Sequence, residues 1–240
     1  MKVKLEDVCD VRDGTHESPN YTEQGYPLVT SKNIVRGRLD LSDVNYICKS
    51  DYDKINIRSK VNTGAIIMPM IGTIGNPYLV EDFTDFAIKN VALIKFNHSK
   101  VNNKFLLYFL TSNTFSTYVK SKNKGGTQKF LALGDIRKME IPLLDYESQL
   151  NIVNQLDRVS NLLSLRQQQL EKLDLLVKSR FIEMFGTIYN NVHNFNIKTL
   201  EEICEPIKDG THQTPEYTDD TVNGYKFLSS KDVTSSKIDW

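Results

Sequence analysis

An α+β fold is predicted, with a mixed domain followed by a long coiled-coil helix and then a partial return of the first domain. Three observations predict it. Short apolar runs bounded by glycine and proline occupy the first 145 residues. A heptad pattern without glycine or proline runs from about Tyr146 to Phe185. The start of the chain then comes back near its end. The predicted units are 1–145, a helical spacer at 146–187, and an incomplete second domain at 188–240.

The strands come first. Pro27 to Thr30, Ala65 to Met70 and Val91 to Phe96 are short apolar runs of strand length, flanked by turn formers. Asn102 and Asn103 are good N-caps, and they predict a helix through about Lys120 with Phe105, Phe109, Phe115 and Val119 on its apolar side. A loop, Ser121 to Lys129, follows, and Met139 to Leu143 reads as a short strand and turn. Beyond Pro142 the period changes. Ile152, Leu156, Val159, Leu163, Arg166, Leu170, Leu173, Val177, Arg180 and Met184 recur at alternating spacings of four and three, the pattern of a coiled-coil seam. At ~1.5 Å per residue this helix is roughly 60 Å long. Its seam needs an antiparallel partner, and Gly186 suits a C-cap.

The repeat is specific. Leu5-Glu6-Asp7-Val8-Cys9 returns as Leu200-Glu201-Glu202-Ile203-Cys204, and Asp13-Gly14-Thr15-His16 as Asp209-Gly210-Thr211-His212. Tyr21-Thr22 and Ser31-Lys32 return as Tyr217-Thr218 and Ser230-Lys231. The expectation is one full unit and the opening of another, which lacks most of the strands needed to bury its apolar groups. Weak protection from hydrogen exchange is expected there, with Leu200 to Cys204 docked locally.

Composition narrows the function classes. Charged residues are 25% and the formal net charge is zero, ordinary for a globular protein. The charge is uneven, since Lys95 to Lys138 carries nine basic residues against one acidic. That points to a localised polyanion site or to a solvated lysine-rich face. The first residues lack an apolar signal core, and the most apolar stretch, 65–80, is too broken to span a bilayer. With three cysteines in no metal-ligand spacing, reduced thiols in a cytoplasm are expected.

No catalytic or metal site is predicted. Asn76-Pro77-Tyr78 lacks one proline of an amino-methyltransferase signature and reads as a turn. There is no P-loop, and His16, His98, His193 and His212 form no ligand pattern. For Asp13-Gly14-Thr15-His16 two readings stand. In one, a tight turn is capped by Thr15; in the other, His16 lies near DNA.

The best candidate for DNA contact is the loop Lys120, Lys122, Lys124, Gly125, Gly126, Thr127, Gln128 and Lys129. Its lysines attract phosphate, and its glycines let the backbone approach. Gln128 suits adenine, and Thr127 suits a thymine methyl. The second candidate is Ser31, Lys32 and Asn33 with Arg36 and Arg38. Ile152, Leu156, Val159, Leu163, Leu170, Leu173, Val177 and Met184 are the expected helix-pairing residues.

A mixed domain, a long helix and the same domain again resemble the specificity subunit of type I restriction-modification systems. Asp-Gly-Thr-His-x-(Ser/Thr)-Pro at 13–19 and 209–215 looks like the opening of that family's target-recognition domains. Gly72-Thr73-Ile74-Gly75 resembles another recurrent segment of that family. Gly126-Thr127-Gln128, then Ile141-Pro142-Leu143 and Glu147-x-Gln149-x-x-Ile152-Val153, resembles the junction into its spacer helix. Ser148 splits the usual Glu-Gln pair. The sequence departs from the family plan of two full domains and two helices.

The resemblance implies a non-catalytic subunit that reads double-stranded DNA. Methyltransferase subunits would carry S-adenosylmethionine, and a restriction subunit would use ATP and Mg. No cofactor is expected on this chain. A homodimer through the spacer is the expected way to cover the seam, with an interrupted palindrome as its target. Two rival readings are a recombination donor of recognition cassettes and a stand-alone DNA-acting enzyme.

Overall fold

The computed structural model describes residues 1–240 apart from 73, 83–84, 97–99, 123–129, 188, 192, 214, 220–222, 235–236 and 239–240. It contains two compact units, Met1–Asp174 and Leu175–Trp240.

The first unit opens with β1 (Lys2–Lys4), β2 (Asp10–Asp13), β3 (Tyr21–Thr22), β4 (Tyr26–Val29), β5 (Ile34–Val35), β6 (Arg38–Leu39) and β7 (Asn45–Ile47). Next come α1 (Lys49–Ser59), β8 (Ile66–Pro69), β9 (Tyr78–Leu79), β10 (Ala87–Ile88) and β11 (Val91–Lys95). Helices α2 (Asn103–Leu110), α3 (Asn113–Lys122) and α4 (Leu133–Lys138) lead to β12 (Glu140–Pro142) and α5 (Tyr146–Phe185), of which the part from Leu175 onward is counted in the second unit.

Two four-stranded sheets organise it. One has the order β2-β11-β8-β9, antiparallel throughout. The other is β10-β4-β7-β3, in which β10 and β4 run parallel. β8 and β11 are apolar at successive positions because both of their faces are covered. Ile66, Met68, Ala92 and Ile94 face a core shared with α2, α3 and α4. Ile67, Val91 and Leu93 face a second core with Val29, Ile34 and Ile88. The period of two thus divides one apolar run between two cores.

The strands expected at 27–30, 65–70 and 91–96 are present within a residue or two. The expected helix from 102 to 120 is two helices, broken at Thr111 and Ser112. The Asn102 side chain caps α2 by accepting from the Phe105 N–H at 3.1 Å. The Ser112 Oγ donates to the Phe109 carbonyl at 2.7 Å and accepts from the Phe115 N–H at 3.3 Å, so one hydroxyl closes α2 and opens α3. Sequence reasoning also passed over α1, which is polar on most of its surface and buries only Tyr52 and Ser59.

Gly14 is fixed by close approach. A Cβ there would lie 2.2 Å from the Ile88 carbonyl oxygen and 2.9 Å from the Lys89 nitrogen, both backbone atoms. Gly14→Ala is therefore expected to cost about 3 kcal/mol, the upper range for overpacking a site that cannot yield. Urea unfolding of the full chain measures it, and a loss under 1 kcal/mol would show that β10 moves aside.

The helix runs over the expected 40 residues, and Gly186, at φ +75°, ends it by donating to the Ile182 carbonyl at 2.7 Å. Its first turns belong to the α+β domain. Gln149 and Val153 are buried, and Ile152 packs against the domain core. Ile152, expected in the pairing seam, therefore faces its own domain.

The second unit holds α6 (Leu200–Ile203), β13 (Val233–Thr234) and β14 (Lys237–Ile238) among its described residues. Leu200 and Ile203 are 62% and 60% exposed, so the local docking expected of 200–204 is not seen. Locally, two hydrogen-bond patterns recur. His212 Nε2 lies 2.8 Å from Asp209 Oδ2, as His16 Nε2 does from Asp13 Oδ2. The Ser229 N–H and Oγ both bond Asp232 Oδ2, as those of Thr30 bond Asn33 Oδ1.

Candidate nucleic-acid interface

The expected DNA loop starts at the end of α3. Lys120 is exposed there. Lys122 is engaged: its ammonium lies 3.2 Å from Asp135 and 5.3 Å from the Tyr118 ring centroid. The bond to Asp135 raises its pKa. Lys124, Gly125, Gly126, Thr127, Gln128 and Lys129 lie outside the described residues.

The second candidate is a β-hairpin. Arg36 and Gly37 join β5 to β6 with φ of +51° and +72°, the two left-handed residues of a type I′ turn. Arg36 and Arg38 project there into solvent. Asn33, expected among the contacts, is instead a structural residue. It is 2% exposed and accepts from the Thr30 N–H and hydroxyl, both at 3.0 Å. It also donates to the Asp40 and Asp43 carbonyls at 3.1 and 3.0 Å. All of its polar capacity is used to brace the hairpin. Ser31 is half-buried, and Lys32 is paired with Asp43 at 3.3 Å across an exposed gap, a weak interaction in water.

A third cationic group was missed by the sequence reading. The α1 residues Lys54 and Arg58 flank the Asp13-to-His16 segment. Asp13 is buried, with a carboxylate that accepts from the Arg58 guanidinium and faces His16 at 2.8 Å. The other His16 ring nitrogen faces Asn90 Oδ1 at 2.8 Å. The contacts with Asn90 and then Asp13 raise the His16 pKa. Arg12 donates to the Arg58 carbonyl at 2.7 Å. Lys95 has a lowered pKa, first from burial and then from Arg12 and Lys60 nearby. A visible signal for this group existed: Lys54 and Arg58 are four apart and so share a helix face.

The pairing face of α5 is exposed beyond its docked start. Val159 is 52% exposed, Leu163 67%, Leu170 58%, Leu173 55% and Val177 69%. Leu156 and Met184 are also exposed. Arg166 bonds Gln169 at 2.8 Å, and Arg180 pairs with Glu183 at 2.6 Å, so both polar seam positions are held along their own helix. Among the described residues, no cluster of His, Cys, Asp and Glu could hold a metal, and no helix is long and apolar enough to cross a membrane.

Over residues 1–175 the sequence matches the family described as "Type I restriction modification DNA specificity domain". It is 22% identical over 200 residues to the type I restriction enzyme MjaVIII specificity subunit of Methanocaldococcus jannaschii, covering 81% of this chain and 47% of that protein. It is 28% identical over 138 residues to the type I restriction enzyme EcoBI specificity subunit of Escherichia coli, covering 57% and 29%. The chain spans about half the length of its two Methanocaldococcus relatives, at 47% and 49%.

Among solved structures, the HsdS subunit from Thermoanaerobacter tengcongensis superposes with a TM-score of 0.51 at 18% identity, over 70% of this chain and 39% of that one. A chain from a structure described as "Structural basis underlying complex assembly and conformational transition of the type I R-M system" gives 0.55 at 16% identity, over 75% and 43%. At these identities the likeness is one of fold.

Proposed function

The chain belongs to the type I restriction modification DNA specificity domain family, and from that membership we propose that it is the sequence-reading component of a type I restriction-modification complex. The observation that carries the reading is the extent of the match: residues 1–175 include both the α+β domain and most of α5. In this reading the domain binds double-stranded DNA, and the helix sets its distance from a second recognition domain. The chemistry resides on partners in the cytoplasm, namely methyltransferase subunits with S-adenosylmethionine and a restriction subunit with ATP and Mg. The exposed α5 seam pairs with an antiparallel helix, and a second copy of the chain is one source of it. Two identical domains would then read an interrupted palindrome. Mapping methylated motifs in cells with and without the protein tests the function. A motif that appears only with the chain supports it, and unchanged methylation in cells that hold the methyltransferase subunit refutes it.

The cations should share the phosphate attraction unequally. Arg36→Ala, Arg38→Ala and Lys120→Ala are each expected to weaken binding to any duplex and to lower the log–log salt slope by about 0.9. Lys122→Ala should lower it less, because Asp135 already neutralises that charge. Filter binding across a salt series measures these slopes. Equal losses at Lys120 and Lys122 would mean that the Lys122–Asp135 pair opens on DNA.

A further inference from the structure

Asp13, Gly14 and Thr15 are explained by the fold. Asp13 is buried against Arg58, Gly14 is fixed by Ile88, and the Thr15 hydroxyl accepts from the Glu17 N–H at 3.2 Å. His16 is different. Its side chain is 61% exposed, so it fills no core space, yet both ring nitrogens are held by acceptors at 2.8 Å. A ring facing two acceptors is best satisfied when both nitrogens carry protons.

That ring lines an open cleft of about 340 Å³ together with Lys54 and Arg58. Lys54 is 76% exposed and Arg58 62%. Among the described lining residues the one carboxylate is Glu17. Asp13 lies beneath, occupied by Arg58 and His16. Asp51 stands 3.9 Å from Lys54, outside the lining. On the β10–β11 side, Lys89 is held by the Ser18 hydroxyl at 2.6 Å.

We propose that this cleft is a phosphodiester site, in which the His16 imidazolium, Lys54 and Arg58 close on one phosphate of the DNA backbone. The proposal rests on the DNA-reading function, and it adds a site on the α1 side of the domain to the hairpin and the loop. A phosphate binds the protonated ring better than the neutral one, so the affinity is linked to pH. It is highest below the pKa of His16 in the free chain and falls as pH rises through that value, which is already raised.

The second unit supplies a control. His212 keeps the bond to its aspartate and lines a cleft of about 460 Å³, but the described lining there contains Tyr217 and Phe227 and no lysine or arginine.

The test uses the full chain and a duplex of arbitrary sequence, with binding measured against salt at pH 6 and pH 8. Wild type and His212→Gln are expected to lose about threefold to tenfold in affinity between the two pH values, as a pKa displaced by up to one unit on binding would give. His16→Gln should abolish that loss. Lys54→Ala, which leaves His16 and Asp13 intact, should lower the salt slope by about 0.9. In parallel, inorganic phosphate should move the His16 ring resonances and leave those of His212 in place. Duplex binding with one slope and one pH profile in wild type, His16→Gln and Lys54→Ala overturns the site and leaves the DNA-reading function standing. Phosphate that shifts His16 in a chain that binds no duplex establishes the anion site and refutes the DNA-reading function.

Discussion

Gln149→Leu is expected to destabilise the α+β domain by about 3 kcal/mol or more, one of the two largest effects predicted for this chain. Gln149 is fully buried where α5 begins. Its Oε1 accepts from the Asn102 N–H at 2.8 Å, and its Nε2 donates to the carbonyls of Lys100 and Leu144 at 3.0 and 2.9 Å. One side chain thus ties the start of α2, the end of the preceding loop and the start of α5. Leucine is close in volume but offers none of these bonds. It would leave the Asn102 N–H and the Lys100 and Leu144 carbonyls without this partner, and a group that water does not reach loses about 1–3 kcal/mol. Urea unfolding of the full chain reads the loss. A change below 1 kcal/mol would show that water replaces the amide. Asp157→Asn is the milder companion: about two turns later, Asp157 accepts from Tyr108 at 2.6 Å and Lys104 at 3.2 Å in a half-exposed setting. Together these contacts make residues 146–157 part of the domain, so a spacer reckoned from Tyr146 is about three turns too long.

What was legible in the sequence was periodic. The β8 and β11 runs stand out because both faces of each strand are buried, leaving no polar residue to interrupt them. The ends of α5 are legible because proline stops before it and Gly186 follows it. The helix break at Thr111 carries no glycine or proline; it rests on one serine hydroxyl serving two backbones.

Long-range partners were not legible. Arg58 meets Asp13 across 45 positions, and parallel β10 joins β4 across nearly 60, at Ala87 and Leu28. Asn33 looked like a DNA contact because its residue type suits one; only the fold shows its amide turned inward. Ile152 followed the seam's spacing, but the same spacing also fits a helix whose first turns lie on a domain. Heptad counting cannot tell which surface a stripe meets.

The second large effect concerns the seam. Leu163→Asp combined with Leu170→Asp is expected to abolish α5 pairing while leaving the α+β domain as stable as before. Both leucines stand in solvent within the chain, 67% and 58% exposed, so their loss removes no intrachain packing. In a paired state each would contribute roughly 1.5–3 kcal/mol on full burial. An antiparallel pairing centred near Arg166 brings Leu163 of one copy close to Leu170 of the other. Aspartates there face each other across a dry seam, and the desolvation of four carboxylates adds to the lost apolar area. In such a pairing Arg166 and Arg180, polar seam positions held by Gln169 and Glu183 on their own helix, would cost the seam some stability. Sedimentation of the wild type at micromolar concentration should give a dimer, and the double variant a monomer with the urea midpoint of wild type diluted to its own monomer. A wild-type monomer under those conditions would remove the homodimer and assign the seam to a helix of another protein. A midpoint below that of monomeric wild type would mean that the seam already packs within its own chain.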